Sequence, residues 1–507
     1  MDYISTRGGD YRYSAAQAIR SGLAPDGGLF VPENIPLLSS ADILKLMKLD
    51  YPDRAANILA RFLTDFTEEE LKTYTRAAYS EEKFADYPAK VVQLNAYNEK
   101  EFMLELWHGP TAAFKDMALQ LLPYLMKAAA EKTGENKDIC ILTATSGDTG
   151  KAALEGFKDV PGTRVVVFYP HEGVSKAQYL QMATQEGENC HVVAVEGSFD
   201  DTQTGVKEIF NDLSFNERAA EAGYVLSSAN SINWGRLVPQ IAYYVSVYVD
   251  LLNMERLEPA EKFNVVVPTG NFGNILACWY AMRMGIPVGK LICASNRNNV
   301  LSDFLRSGVY DANRPFYQTN APSMDILISS NLERLLFEMT EHNADQVSEW
   351  MTDLKEQGSY KLDKRTRNRI QNVFVGGFCD DKGAVRTIRD VYTRTDHVVD
   401  THTAVGFNVY SRYANRSGDK RVVVFVSTAS PFKFAAAVSE GVFDHFSQSQ
   451  TGGSEQALME YLSAESDLPI PAGLDHLEDR PILHNQVIRR DEMARTVSDL
   501  LGLDTAD

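Results

Sequence analysis

The sequence predicts an α/β protein made of two doubly wound units plus an N-terminal domain. Three observations lead there. From about residue 125, strand-like runs alternate with helical ones, the pattern of parallel βαβ units. The runs are nearly continuous in β-branched residues, as in VVVFYP (165–170) and NVVVPTG (264–270), which suits strands covered by helices on both faces. The chain has 507 residues, more than one core organises, so several packed units are expected.

Residues 1–95 read as the N-terminal domain. RSGLAPDGGLFVPENIP is rich in turn residues, with Asp26-Gly27-Gly28 marking a reversal. Helical stretches follow at 40–48, 55–63 and 68–77, and short strands at 91–94 and 102–106. Residues 96–450 are the expected catalytic core, with a smaller α/β unit at about 125–225. ICILTAT (139–145), VVVFYP (165–170) and HVVAVEG (191–197) are its strands. Helices are expected to start at Asp148, Ser175 and Asp201. The larger unit carries NVVVPTG (264–270), a helix from Asn274, KLICAS (290–295), RVVVFVST (421–428) and a helix from Pro431. Residues 300–395 are more polar and helical and read as an elaboration outside the sheet. Residues 451–507 read as a C-terminal extension with a helical end.

Net charge is -19, from 69 acidic and 50 basic side chains. Such a surface repels nucleic-acid phosphates and anionic lipid, so neither partner is expected. The apolar stretch near 241–252 contains Ser246 and Asp250 and reads as a core helix. The five cysteines, Cys140, Cys190, Cys278, Cys293 and Cys379, lack C-x-x-C spacing and read as reduced, buried thiols. MDYISTRGGDYRYS lacks the apolar segment of a secretory signal. A cytoplasmic protein is expected.

In open α/β sheets, ligands bind beyond the carboxyl ends of the strands. Three polar turns sit there. TATSGDTGKAA (143–153) runs from a strand into a helix, and backbone N–H groups at such a start favour an anion. It is not a P-loop, because Thr145 and Ala152 occupy positions that need Gly and Ser/Thr. VPTGNFGN (267–274) has glycines that let backbone wrap a phosphate, without the G-x-G-x-x-G fingerprint. VSTASPFKF (426–434) offers hydroxyls before Pro431. Lys115 lies among Phe114, Met117, Ala118 and Leu119. Burying an ammonium is costly, so a lysine there tends to a depressed pKa and nucleophilic behaviour. A snorkelling lysine is the plainer alternative. Taken one at a time, each turn also reads as an ordinary capped helix start. Together, an amine, two anion cradles and a hydroxyl site are the parts that pyridoxal phosphate (PLP) requires.

The sequence resembles the threonine synthase family, in the longer form found in bacteria and fungi. The resemblance spans nearly the whole chain. It is carried by YISTRG (3–8), LAPDGGLFVP (23–32), ELWHGPTAAFKD (105–116), TATSGDTGKAA, SSANSINWGR (227–236), VPTGNFGN, DTHTAVG (400–406) and VSTASPFKF. One departure is Thr401, where the family usually has Pro. The resemblance implies a tryptophan-synthase-β-like fold of the type II PLP class. It implies that Lys115 holds PLP as a Schiff base and then moves protons. Gly270, Asn271, Phe272, Gly273 and Asn274 match the loop on the PLP phosphate, and Thr428 the hydroxyl facing the pyridine nitrogen. Ser146, Gly147 and Asp148 match the turn that meets the substrate carboxylate and the cofactor edge. Thr145, Thr149, Asn230, Ser231 and Arg236 match groups on a substrate phosphate. Asp116 reads as structural, His108 and His402 read either as contacts to cofactor or substrate or, more simply, as hydrogen-bonded structural histidines, and no metal is implied. The implied reaction takes O-phospho-L-homoserine and water to L-threonine and phosphate, by γ-elimination and β-addition of water. A lyase giving 2-oxobutyrate keeps the same motifs, and a non-catalytic homologue is a further alternative. Serine and threonine dehydratases need no second phosphate site. The family's longer form implies a monomer or weak oligomer.

Overall fold

The computed structural model describes every residue except 10, 96, 97, 146, 444, 445, 447–453 and 504–507. Its strands, in chain order, are β1 (Tyr3–Ser5), β2 (Phe30–Pro32), β3 (Lys90–Asn95), β4 (Asn98–Glu105), β5 (Asp138–Ala144), β6 (Thr163–Pro170), β7 (Cys190–Val195) and β8 (Tyr224–Ser227). They continue with β9 (Phe263–Pro268), β10 (Val288–Ser295), β11 (Val309–Asp311), β12 (Ser359–Lys361), β13 (Phe374–Phe378), β14 (Val423–Ser427) and β15 (Val487–Ile488).

Two sheets carry the architecture. The larger has the order β13-β10-β9-β14-β4-β3, parallel except for the hairpin-like β3–β4 pair. The smaller has the order β15-β7-β6-β5-β8 and is parallel throughout. Val265, Val266 and Val267 of β9 and Val165, Val166 and Val167 of β6 are fully buried, as expected for strands sandwiched between helices. The apolar stretch near 241–252 lies in the helix Trp234–Asn253, whose side chains are nearly all buried. All five cysteines are buried free thiols. Among the described residues, no helix is long and apolar enough to cross a membrane.

Neighbour relations within the sheets assemble the site. β4, β14 and β9 lie side by side and run parallel. Their carboxyl ends therefore bring together the segment leading to Lys115, Thr428 and the loop 270–274. β5 and β8 are likewise parallel neighbours, which sets 145–149 beside 230–231.

Several expectations need correction. Residues 300–395 are not wholly outside the sheet, because β13 forms an edge of the larger one. The C-terminal extension ends in the expected helix, Met493–Leu501, and before it adds a strand the sequence did not suggest, β15, which pairs with β7. The element from Pro431 begins as a 3-10 turn (Pro431–Phe434) and becomes α-helical at Ala435. The helix expected from Ala55 starts at Tyr51, capped by Asp50 and with Pro52 in its first turn. The QSQTGGS segment (447–453) lies outside the described residues.

Candidate active site

Lys115 sits one residue before the short helix Asp116–Leu119. Its backbone is tied to the end of β14: Phe114 N–H donates to Thr428 O at 2.8 Å, and Ala113 bridges to Ala429. The side chain is not snorkelling, since the residue is 9% exposed. Nζ donates to Asp148 Oδ2 at 3.2 Å and to Ser323 Oγ at 3.3 Å. Burial lowers the Lys115 pKa; Asp148 pulls it back up, while Lys433 and Arg236 push it further down.

Asp148 opens the helix Asp148–Phe157 and faces a second buried ammonium. Lys433 Nζ lies 3.0 Å from Asp148 Oδ1, and Gln178 Nε2 donates to the same oxygen at 3.1 Å. Ser323 Oγ donates to Oδ2 at 3.0 Å. Burial would raise the carboxyl, but Lys115 and Lys433 hold it well below the usual carboxylate range. Gly147, before Asp148, has φ +129°, and a Cβ there would meet the Gln178 side chain at 2.4 Å. Glycine is therefore required at this turn.

The turn at 145–150 is less open to an anion than its sequence suggests. Thr145 Oγ1 accepts the N–H groups of Gly147, at 3.0 Å, and Gly150, at 2.8 Å. Its hydroxyl proton remains available to a ligand. Thr149 is half-buried. Ser146 lies outside the described residues.

The loop 270–274 is open in the required way. Gly270 O accepts from Ser329 Oγ at 2.7 Å, and Asn271 O accepts from Asn331 N at 3.1 Å and Nδ2 at 3.0 Å. No group among the described residues takes up the backbone N–H of Gly270, Asn271, Phe272, Gly273 or Asn274. Phe272 adopts φ +64° at the helix start, a turn that redirects the backbone. Asn274 Oδ1 accepts from Tyr243 and Tyr244 hydroxyls at 2.8 and 2.5 Å. Its Nδ2 is buried without a partner. A Cβ on Gly270 would meet Ser323 O at 2.8 Å, so the loop closes onto the segment that touches Lys115. Free N–H groups and an orphaned amide donor fit a phosphate such as that of PLP.

A second cationic pocket lies at the start of the helix Trp234–Asn253. Arg236 is 5% exposed. Its Nη1 donates to Ala229 O at 2.8 Å, and its Nε is buried without a partner. No carboxylate pairs with it among the described residues. Burial alone lowers its pKa to about 10. Asn230 and Ser231 are half-buried just upstream.

Thr428 is buried, with its hydroxyl unengaged by any described residue. His402 Nδ1 lies 2.9 Å from Asp400 Oδ1, and its Nε2 accepts Ser323 N–H at 3.1 Å. It holds Ser323 in place. His108 pairs with Glu105 at 2.8 Å and stacks on Trp107. Thr401 Oγ1 donates to Asn320 O at 2.6 Å, so the residue that departs from the family pattern anchors the same Ser323 segment. Asp116 is fully buried and accepts two bonds from Thr111.

Three side chains of this centre went unmarked in the sequence. Lys433 had a usable signal: it stands between Phe432 and Phe434, the same apolar flanking that singled out Lys115. Gln178 and Ser323 had none, since neither belongs to a strand-to-helix turn.

A buried lysine, a loop with free backbone N–H groups and a buried hydroxyl thus lie at the ends of adjacent parallel strands. Residues 87–354 match the family described as pyridoxal-phosphate dependent enzyme. Residues 2–79 match threonine synthase N terminus, and 403–492 match threonine synthase, C-terminal. The chain belongs to the threonine synthase family. It is 38% identical over 442 residues to threonine synthase of Pseudomonas aeruginosa, covering 87% of this chain and 90% of that one. It is 40% identical over 438 residues to human threonine synthase-like 1, covering 84% of this chain and 58% of that protein. The chain thus spans less than two thirds of the length of that relative. Solved structures of PLP-bound threonine synthase from Brucella melitensis and of threonine synthase from yeast superpose with TM-scores of 0.85 and 0.87, at 34% and 32% identity. Each alignment covers 99% of this chain and 98% of the other.

Proposed function

We propose that this chain converts O-phospho-L-homoserine and water into L-threonine and phosphate. The observation that carries the proposal is Arg236. A cofactor with one phosphate needs one cradle, and the loop 270–274 supplies it. Arg236 adds a buried guanidinium with no acidic partner among the described residues, within electrostatic reach of Lys115. An unpaired buried cation is costly unless an anion joins it, which favours a substrate bearing its own phosphate. In this reading Asn230, Ser231, Thr145 and Thr149 complete that pocket, and Gly147 and Asp148 border the substrate's amino-acid end.

When bound, PLP supplies an electron sink for carbanions next to the substrate nitrogen. Burial and neighbouring cations keep Lys115 inclined to release its proton. Its free amine is the base for the α-proton. Asp148, Ser323 and Lys433 fix where that amine points. Thr428, a hydroxyl where a carboxylate would keep the ring nitrogen protonated, restrains side reactions. The buried setting excludes stray water.

The test is direct. The purified protein is loaded with PLP and given O-phosphohomoserine, phosphate release is followed, and the carbon product is identified. Threonine formed in step with phosphate, and lost in Lys115→Ala, is the expected result. Phosphate with 2-oxobutyrate would reassign the chain as a lyase. Bound PLP without turnover would point to another substrate.

A further inference from the structure

One fully buried arginine joins the two phosphate pockets. Arg334, in the helix Leu332–Met339, is 0% exposed. Its Nε donates to Phe30 O of β2 at 2.9 Å. Its Nη2 donates to Ile232 O at 2.5 Å, in the segment between Ser231 and Arg236. Its Nη1 donates to Asn331 Oδ1 at 2.5 Å. Asn331 passes the contact on, because its Nδ2 and its backbone N–H both hold Asn271 O. The guanidinium also lies over the Trp234 ring at 5.9 Å. Burial lowers its pKa to about 10, yet no carboxylate pairs with it among the described residues. Next to it, Glu333 binds Thr6 and Arg7, so the N-terminal region rests on the same helix turn.

We infer that Arg334 is a positioning residue that sets both phosphate pockets at once, one through Ile232 and the other through Asn331 and Asn271. The inference rests on the proposed function for the identity of the two pockets. The rigid fork of a guanidinium suits three fixed acceptors in different directions. With Asn271 O held from behind, the N–H groups of 270–274 are left to face the ligand. With Ile232 O held, the chain leading into Arg236 is fixed.

Two variants separate the branches. Arg334→Lys keeps the charge and loses the fork. Asn331→Asp keeps an acceptor for Arg334 and loses the amide donor to Asn271 O. The readouts are the dissociation constant of PLP, from the visible absorbance of the apoprotein titrated with cofactor, and that of inorganic phosphate on the PLP-loaded protein. Arg334→Lys is expected to weaken both by about tenfold or more, roughly one to two lost hydrogen bonds. Asn331→Asp is expected to weaken PLP by a similar factor and leave phosphate within about twofold. PLP binding unchanged in both variants, with a lowered melting temperature, would overturn the inference and leave Arg334 a core residue. So would equal weakening of both ligands in Asn331→Asp. If Arg334→Lys fails to fold, the Asn331→Asp pattern decides alone. A wild-type protein that binds PLP but not phosphate would sink the reading of the Arg236 pocket, while the PLP arm would still test Arg334.

Discussion

Asp148 lies between two ammonium groups, and that sandwich sets the protonation of the centre. Lys115 and Lys433 compete for one carboxylate, so the second lysine leaves the first more readily deprotonated than its ion pair alone would allow. Neighbouring Asp116 behaves oppositely. Burial pushes its pKa up to about 6, against two hydrogen bonds from Thr111. The folded state therefore holds a proton that the unfolded chain, near a pKa of about 3.9, has released. This contribution to stability is complete below about pH 4 and is lost as pH rises through about 6. The melting temperature of wild type minus that of Asp116→Asn is expected to fall across that window and level off above it. A flat difference from pH 4 to 7.5 would mean Asp116 is ionised throughout.

At the scale of elements, glycines record how closely neighbours approach. A Cβ on Gly156 would lie 2.1 Å from Leu119 O, where the helix Asp148–Phe157 meets the helix that follows Lys115. Gly156→Ala is expected to force these helices apart, costing about 1–3 kcal/mol and lowering PLP affinity. Thermal melts and cofactor titration check this, and an unchanged melting temperature would show that the contact yields freely. The same effect explains what the sequence left hidden. β5, β6, β9 and β14 are legible because both faces are buried and β-branched. β13 reads FVGGF, too glycine-rich for a strand pattern. A Cβ on Gly376 would meet Ser302 backbone at 2.9 Å, and one on Gly377 would meet Val409 at 2.6 Å. The helices that hide the strand in space also strip its sequence signal. The site followed the same logic. Residues in strand-to-helix turns could be picked out, Lys433 among them by its apolar flanks, whereas Ser323 and Gln178 join through contacts distant in sequence.

For the whole molecule, the chain beyond residue 480 completes the smaller unit. Ile488, Met493, Val497, Leu501 and Leu503 share an apolar cluster with Cys140, Leu142, Val166 and Val193. Deleting residues 481–507 uncovers this face of the sheet and the edge of β7. The truncated protein is expected to bind hydrophobic dye and to be cleaved rapidly by protease within 138–227, while the intact chain resists both. Equal protease resistance would mean the smaller sheet holds without its last strand. The larger sheet draws its strands from both sides of this unit in the chain, with β4 before it and β9 after it, which gives the smaller unit two covalent tethers to the larger.

The pairing of β15 with β7 also has a consequence for biosynthesis. A ribosome delivers β5 to β8 early and in sequence, but the strand that closes their edge emerges last. Throughout the synthesis of the intervening residues, the β7 edge is a row of unpaired backbone groups on a nascent chain. That edge is closed only once β15 has been made and docks on it.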